Sequence, residues 1–170
     1  PDLLAMLAES HEIGVHVHPR EFDHDHDQLA ELSPDRQREL ITRTRAEITD
    51  ATGIEPISFR AGRHSASRET LRILRDLGFA VDASINVRYD EYLPADLTEW
   101  SEPFEIDGLT EVPVTNGTLP MLSSCGVRAL AERPVTATAA TLRADRWGCS
   151  GLRAVLALAS RGDVFSFYMH

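Results

Sequence analysis

From Ile13 to His18, apolar residues alternate with Gly14, His16 and His18, and Pro19 ends the run. A period of two is that of a half-buried strand. It places both histidines on one face, near the strand's C-terminal end. Ser33-Pro34-Asp35 then combines a capping hydroxyl, a proline suited to the first helical turn and an acid beside the helix's positive end. The spacing of Leu40, Ile41 and Ile48 predicts a helix from there to about Thr52, stopped at Gly53. After Pro56, residues 57–60 read as a short strand. Ser67 opens a second helix with Leu71, Leu74 and Leu77 inward and Gly78 as terminator. Residues 79–83 are a further short strand. Before all of these, Leu3, Leu4 and Leu7 fall on one helical face.

The rest of the chain is less regular. Residues 86–108 read as irregular, broken by Pro94, Pro103 and Gly108. Residues 109–114 are strand-like, and Asn116-Gly117 predicts a turn. Residues 120–148 show no clear period. A last helix is expected over 152–160, closed by Gly162, followed by an apolar strand over 164–169 that ends at His170. Strands alternating with helices are the pattern of βα units with a mostly parallel sheet, so the fold class is α/β.

Composition narrows the function without naming it. Charged residues make up 26% and hydrophobic residues 42%, ordinary globular usage. A net charge of −10 excludes a surface built for nucleic acid or anionic lipid. No apolar stretch reaches the roughly 18 residues of a membrane span. All 17 basic residues are Arg, so chemistry that needs a lysine is excluded. Cys125 and Cys149 form no metal-type spacing and read as two small apolar packing residues. The chain begins Pro1-Asp2 without Met and stops at the end of an apolar run. The expectation is a single domain over 1–170, truncated at both ends.

Three places offer chemistry. The first is His11-Glu12-Ile13-Gly14-Val15-His16-Val17-His18-Pro19. Two imidazoles at i and i+2 on a strand lie at a separation one divalent ion can bridge. The same spacing also fits two strand-edge histidines satisfied by water and backbone. The second is Ser58-Phe59-Arg60-Ala61-Gly62-Arg63-His64. Arg60 ends a strand, and a guanidinium there holds a carboxylate in a fixed orientation or stands on the surface. The third is His170, at the tip of the last apolar strand, suited by its ordinary pKa to general acid–base work. His24 and His26, set among Asp23, Asp25 and Asp27, read as a solvated acidic loop.

Taken in order, these segments resemble the polysaccharide deacetylase family. Ser10-His11-Glu12-Ile13-Gly14-Val15-His16 is similar to its GHEIGxH motif. Residues 59–63 and 74–84 resemble its "fRaG…L…lGy..DsS" stretch, and Glu111-Val112-Pro113-Val114 resembles its EvPv strand. Phe167-Tyr168-Met169-His170 resembles the late strand that ends in the family's histidine. The resemblance implies a distorted (β/α) barrel of about seven strands, incomplete here because the first strand would precede residue 1. It implies a metal-dependent hydrolase that removes an acetyl group from an N-acetylated carbohydrate, with zinc the usual divalent metal. It assigns His16 to the metal, Arg60 to orienting the catalytic aspartate, and His170 to the general acid.

Two departures qualify it. The family's second metal histidine stands four residues after the first, where this chain has Arg20, which cannot ligate. His18 is the substitute, in an H-x-H-P form. The family's first, aspartate-rich motif has no counterpart, so the catalytic base and a third ligand are expected upstream of Pro1 and the isolated piece is expected to be inactive. Two other readings compete: an amidohydrolase-type metal hydrolase, which also uses H-x-H on a strand, and a non-catalytic carbohydrate-binding domain with a degenerate site. Asp145 and Trp147 would furnish a pocket wall or sit in plain core.

Overall fold

The computed structural model describes residues 3–22, 25, 27–87, 91–93, 97, 102–114, 116–122 and 130–136, the last two stretches as backbone. Helix α1 (Leu3–Ala8) leads to strand β1 (Val15–Val17), then helix α2 (Pro34–Thr52), strand β2 (Ser58–Ala61), helix α3 (Arg68–Asp76) and strand β3 (Val81–Asp82). Strands β4 (Phe104–Ile106), β5 (Leu109–Glu111), β6 (Asn116–Leu122) and β7 (Leu130–Thr136) follow. Single 3₁₀ turns sit at Pro19–Glu21, Leu29–Glu31 and Gly62–His64.

The helix ends are where the residue chemistry puts them. Ser33 Oγ accepts the Arg36 N–H at 3.4 Å, Pro34 occupies the first turn, and Gly53 takes φ 73° while its N–H reaches Thr49 O at 2.7 Å. Ser67 caps α3 in a reciprocal pair with Thr70. Leu40 and Ile41 of α2 and Ile73 and Leu74 of α3 are fully buried. Each such side chain contributes roughly 1.5–3 kcal/mol relative to leaving it in water. Gln37 is also buried, because its amide donates to Leu32 O at 2.9 Å and accepts from Thr70 Oγ1 at 2.8 Å. By contrast α1 has no fully buried residue: it rests on α2 with Leu4 half-buried, while Leu3 is 66% and Leu7 41% exposed.

Five strands form one sheet in the order β1-β2-β3-β5-β4. β1, β2, β3 and β5 are parallel, and β4 runs antiparallel at the edge. The architecture is mixed α/β, and among the described residues β1 and β4 are open edges. Helix α2 packs on β1 and on α3, which reaches β5.

Register and burial together define the two faces of the sheet. Val15, Val17, Phe59, Ala61, Asp82, Leu109 and Glu111 are buried on the helix-covered face. His16, Ser58, Arg60, Val81 and Thr110 alternate with them on the other, more open face.

Two stretches differ from the expectation. Residues 86–108 contain β4, joined to β5 through Asp107 (φ 51°) and Gly108 (φ 84°), the positive-φ pair of a tight hairpin. Asn116-Gly117 is not a turn but the start of β6, paired Asn116↔Thr136 and Gly117↔Val135 with β7. Cross-strand pairing overrides the local preference of the dipeptide. Pro120 and Pro134 are tolerated because, among the described residues, each strand of the two-stranded ribbon is an edge. The expected helix over 152–160, the strand over 164–169, both cysteines, His24, His26, Asp145, Trp147 and His170 lie outside the described residues.

Candidate functional site

Alternation along β1 buries Val15 and Val17 and turns His16 to the open face. His18, just past the strand, is still extended (φ −106°, ψ 106°), so its ring follows on the same side before Pro19 starts a 3₁₀ turn. The two rings meet edge to face, with centroids 4.8 Å apart and planes at 82°. His16 Nδ1 donates to Arg60 O at 2.8 Å, and His18 Nδ1 makes a longer bond to Asp27 Oδ1 at 3.4 Å. Because both acceptors are oxygens, both Nδ1 atoms carry the proton. In each neutral ring the lone pair is therefore on Nε2, the form of imidazole that takes a metal.

Asp27 also accepts from Arg63 Nη1 at 3.0 Å, so it ties His18 to the turn after β2. That turn is strained: Arg63 and His64 take φ of 53° and 57°, the left-handed region disfavoured for residues with a Cβ. His64 is buried, with Nδ1 donating to Ser84 O at 3.2 Å. Gly62 is required by space. A Cβ there would stand 2.6 Å from Val17 O and 2.7 Å from His18 Nδ1, so the end of β2 closes on His18 only because this residue has no side chain.

Arg60 sits opposite His16 in the parallel ladder, on the same face. Its Nε donates to Ala83 O at 2.8 Å. Burial pulls its pKa down, and the nearby acids Asp82 and Glu111 draw it back up. Arg20, where the resemblance leads one to expect a second metal histidine, is exposed on the Pro19–Glu21 turn.

The sequence reading missed two acids. Asp82 and Glu111 are both fully buried, directly paired across β3 and β5. Burial is the first cause that raises the pKa of each. The signal for Glu111 was present: it lies in phase with Leu109, whose place is the core, and so an acid was due to turn inward. For Asp82 the signal depends on the register with Phe59, which one strand's sequence does not carry.

The structure thus brings His16, His18 and Arg60 together; it says nothing of His170. Among the described residues, no group of three or more His, Cys, Asp or Glu is arranged to hold a metal ion. The two imidazoles fit a divalent ion in donor type and in how they are anchored, and they supply two of the four ligands usual for zinc. No described helix is long and apolar enough to cross a membrane.

Comparison with known proteins gives three findings. Residues 1–81 match the family model for polysaccharide deacetylase. The whole fold is similar to the crystal structure of a Mycobacterium smegmatis protein assigned as a polysaccharide deacetylase, with a TM-score of 0.62 and 21% identity, covering 98% of this chain and 52% of that one. The chain therefore spans about half the length of the solved structure it matches. No curated protein matches it.

Proposed function

We propose that the chain belongs to the polysaccharide deacetylase family, whose model matches residues 1–81, and that it is a metal-dependent hydrolase that removes the acetyl group from an N-acetylated sugar or polysaccharide. The observation that carries the reading is the pair of imidazoles at the end of β1, rings 4.8 Å apart and each Nδ1 anchored to an oxygen, beside Arg60. The proposal extends the observed five-stranded sheet to a distorted barrel of about seven strands.

His16 and His18 would hold the metal through Nε2, with the remaining ligands outside the described residues. A bound divalent ion, zinc being the usual one, supplies Lewis-acid polarisation of the acetyl carbonyl and a water of lowered pKa. Arg60, fixed by Ala83 O, orients the carboxylate that serves as base. His170 gives a proton to the departing sugar nitrogen. Asp27 and Arg63 keep the His18 ring from turning away.

The test is acetate release from an N-acetylated oligosaccharide by the full-length protein, with bound metal measured in parallel. His16→Ala and His18→Ala are expected to lose both metal and turnover. His170→Ala is expected to lose turnover and keep metal. Full occupancy and activity in His18→Ala would show that the H-x-H assignment is wrong.

A further inference from the structure

The buried acids Asp82 and Glu111 have no part in the chemistry above, yet burying two carboxyl groups side by side is costly unless their charge is reduced. Their hydrogen bonds are unequal. Asp82 Oδ1 accepts from Ser84 Oγ at 2.5 Å, and that same hydroxyl accepts the Ala61 N–H at 2.8 Å. Glu111 Oε1 accepts the Ile85 N–H at 3.0 Å. That leaves Asp82 Oδ2 and Glu111 Oε2, both buried, which no N–H or O–H of the described residues reaches. Two acceptors cannot satisfy each other. One proton makes one oxygen a donor and satisfies both.

We propose that Asp82 and Glu111 share a single proton, held on Glu111, and act as positioning residues for Arg60 by fixing the 82–85 segment whose Ala83 carbonyl holds its guanidinium. The proton belongs on Glu111 because the Ser84 hydroxyl and neighbouring backbone N–H groups favour a charged Asp82, whereas Glu111 receives one backbone N–H. In the folded protein, burial and then the Asp82 charge push the Glu111 carboxyl up, in line with this assignment. The other ionisable groups around the pair are Arg60 of β2, on the far face of the sheet, and His64, whose ring donates to Ser84 O. The arginines of α3, Arg68, Arg72 and Arg75, line an outer groove with Ile106 and Asp107.

The chain of contacts is short. Glu111 fixes Ile85 N–H, Asp82 fixes Ser84 Oγ, and Ser84 fixes Ala61 N–H. Ala83, whose carbonyl receives Arg60 Nε, lies between Asp82 and Ser84. Loosening either anchor shifts the carbonyl, and with it the hydrogen bond that orients the guanidinium. The role of Arg60 rests on the deacetylase reading; the shared proton does not.

The experiment has two arms, both on the full-length protein. The first measures unfolding in urea from about pH 5 to pH 8 for wild type and Glu111→Gln. Glutamate in the unfolded chain releases its proton near pH 4.3, while Glu111 keeps it in the folded state at higher pH. The stability this group contributes is therefore full below about pH 4 and declines as pH rises. Glu111→Gln removes that dependence, so the ratio of its folding constant to that of wild type should rise about tenfold per pH unit. A ratio that does not change with pH overturns the shared proton.

The second arm measures kcat and bound metal. Glu111→Gln, which keeps an N–H toward Asp82 and an oxygen toward Ile85, should stay within about threefold of wild type. Glu111→Leu should lose about tenfold to a hundredfold in kcat with metal content unchanged. Ser84→Ala, which removes neither acid, should lose kcat in the same way and decides the matter if the leucine variant fails to fold. Wild-type kcat in folded Ser84→Ala overturns the positioning role. Absence of acetate release from wild type, with the pH-dependent ratio intact, would sink the deacetylase reading and leave the shared proton standing.

Discussion

The two faces of one five-stranded sheet carry ionisable groups under opposite physical regimes. On the open face, His16 is exposed and His18 partly so, and the polar contacts described for them are one hydrogen bond at 2.8 Å and one at 3.4 Å. On the helix-covered face, Asp82 and Glu111 are fully buried and bound into contacts with β2, β3 and β5. The first pair lies at least partly open to solvent, so those side chains cost the fold little. The second pair has only the protein to satisfy it, so its contacts must be complete or the fold suffers. The same residue types that read as chemistry on one side are structure on the other, and the register of the strands decides which.

The comparison breaks first at Asp82. Asp82→Ala leaves the Ser84 hydroxyl and the Glu111 carboxyl buried without their partner, and should cost about 3 kcal/mol in urea unfolding. His16→Ala on the other face should stay within about 0.5 kcal/mol. Equal costs at the two positions would mean that the faces do not differ in the way described.

Gly62 lies where the two regimes meet. Adding a Cβ 2.6 Å from Val17 O and 2.7 Å from His18 Nδ1 forces the main chain of β1 or the His18 ring to move. Gly62→Ala should cost about 1–3 kcal/mol. On the proposed two-histidine metal site, it should also weaken zinc binding about tenfold although neither histidine is removed. Urea unfolding and a competition assay with a zinc chelator check both values. Wild-type zinc affinity in this variant would show that the position of His18 is not what the site depends on.

The helices were legible because their signals are local. Ser33-Pro34-Asp35, Ser67 and the two glycines at 53 and 78 mark termini by capping and by φ, and both helices end within a residue or two of those marks. The histidine pair was legible for the same reason, since alternation within one strand sets its face. The acid pair was not, because Asp82 and Glu111 are separated by 28 intervening residues, and only the parallel register brings them together. The turn expected at Asn116-Gly117 failed for a related reason: a dipeptide's preference is small beside a ladder of seven paired residues. Local chemistry can be read along the chain, whereas whether a polar group ends up solvated or buried is a property of the sheet.

The smallest expected effect on stability separates anchoring from folding. Asp27 is a quarter exposed and spans His18 and Arg63. Partly exposed ion pairs contribute about 0–1 kcal/mol, so Asp27→Ala should leave the urea midpoint nearly unchanged. Its effect should fall on zinc instead. Removing the acceptor of a ligating imidazole's second N–H typically costs about 10-fold to 100-fold in metal affinity, because the ring loses its orientation and some of its basicity. Asp27→Asn keeps an oxygen for His18 Nδ1 but loses the charge, so it should recover most of the orientation and sit between the two. If alanine and asparagine weaken zinc equally, the charge rather than the geometry of Asp27 serves His18. If neither weakens it, the 3.4 Å contact is incidental and Asp27 does not hold the His18 ring.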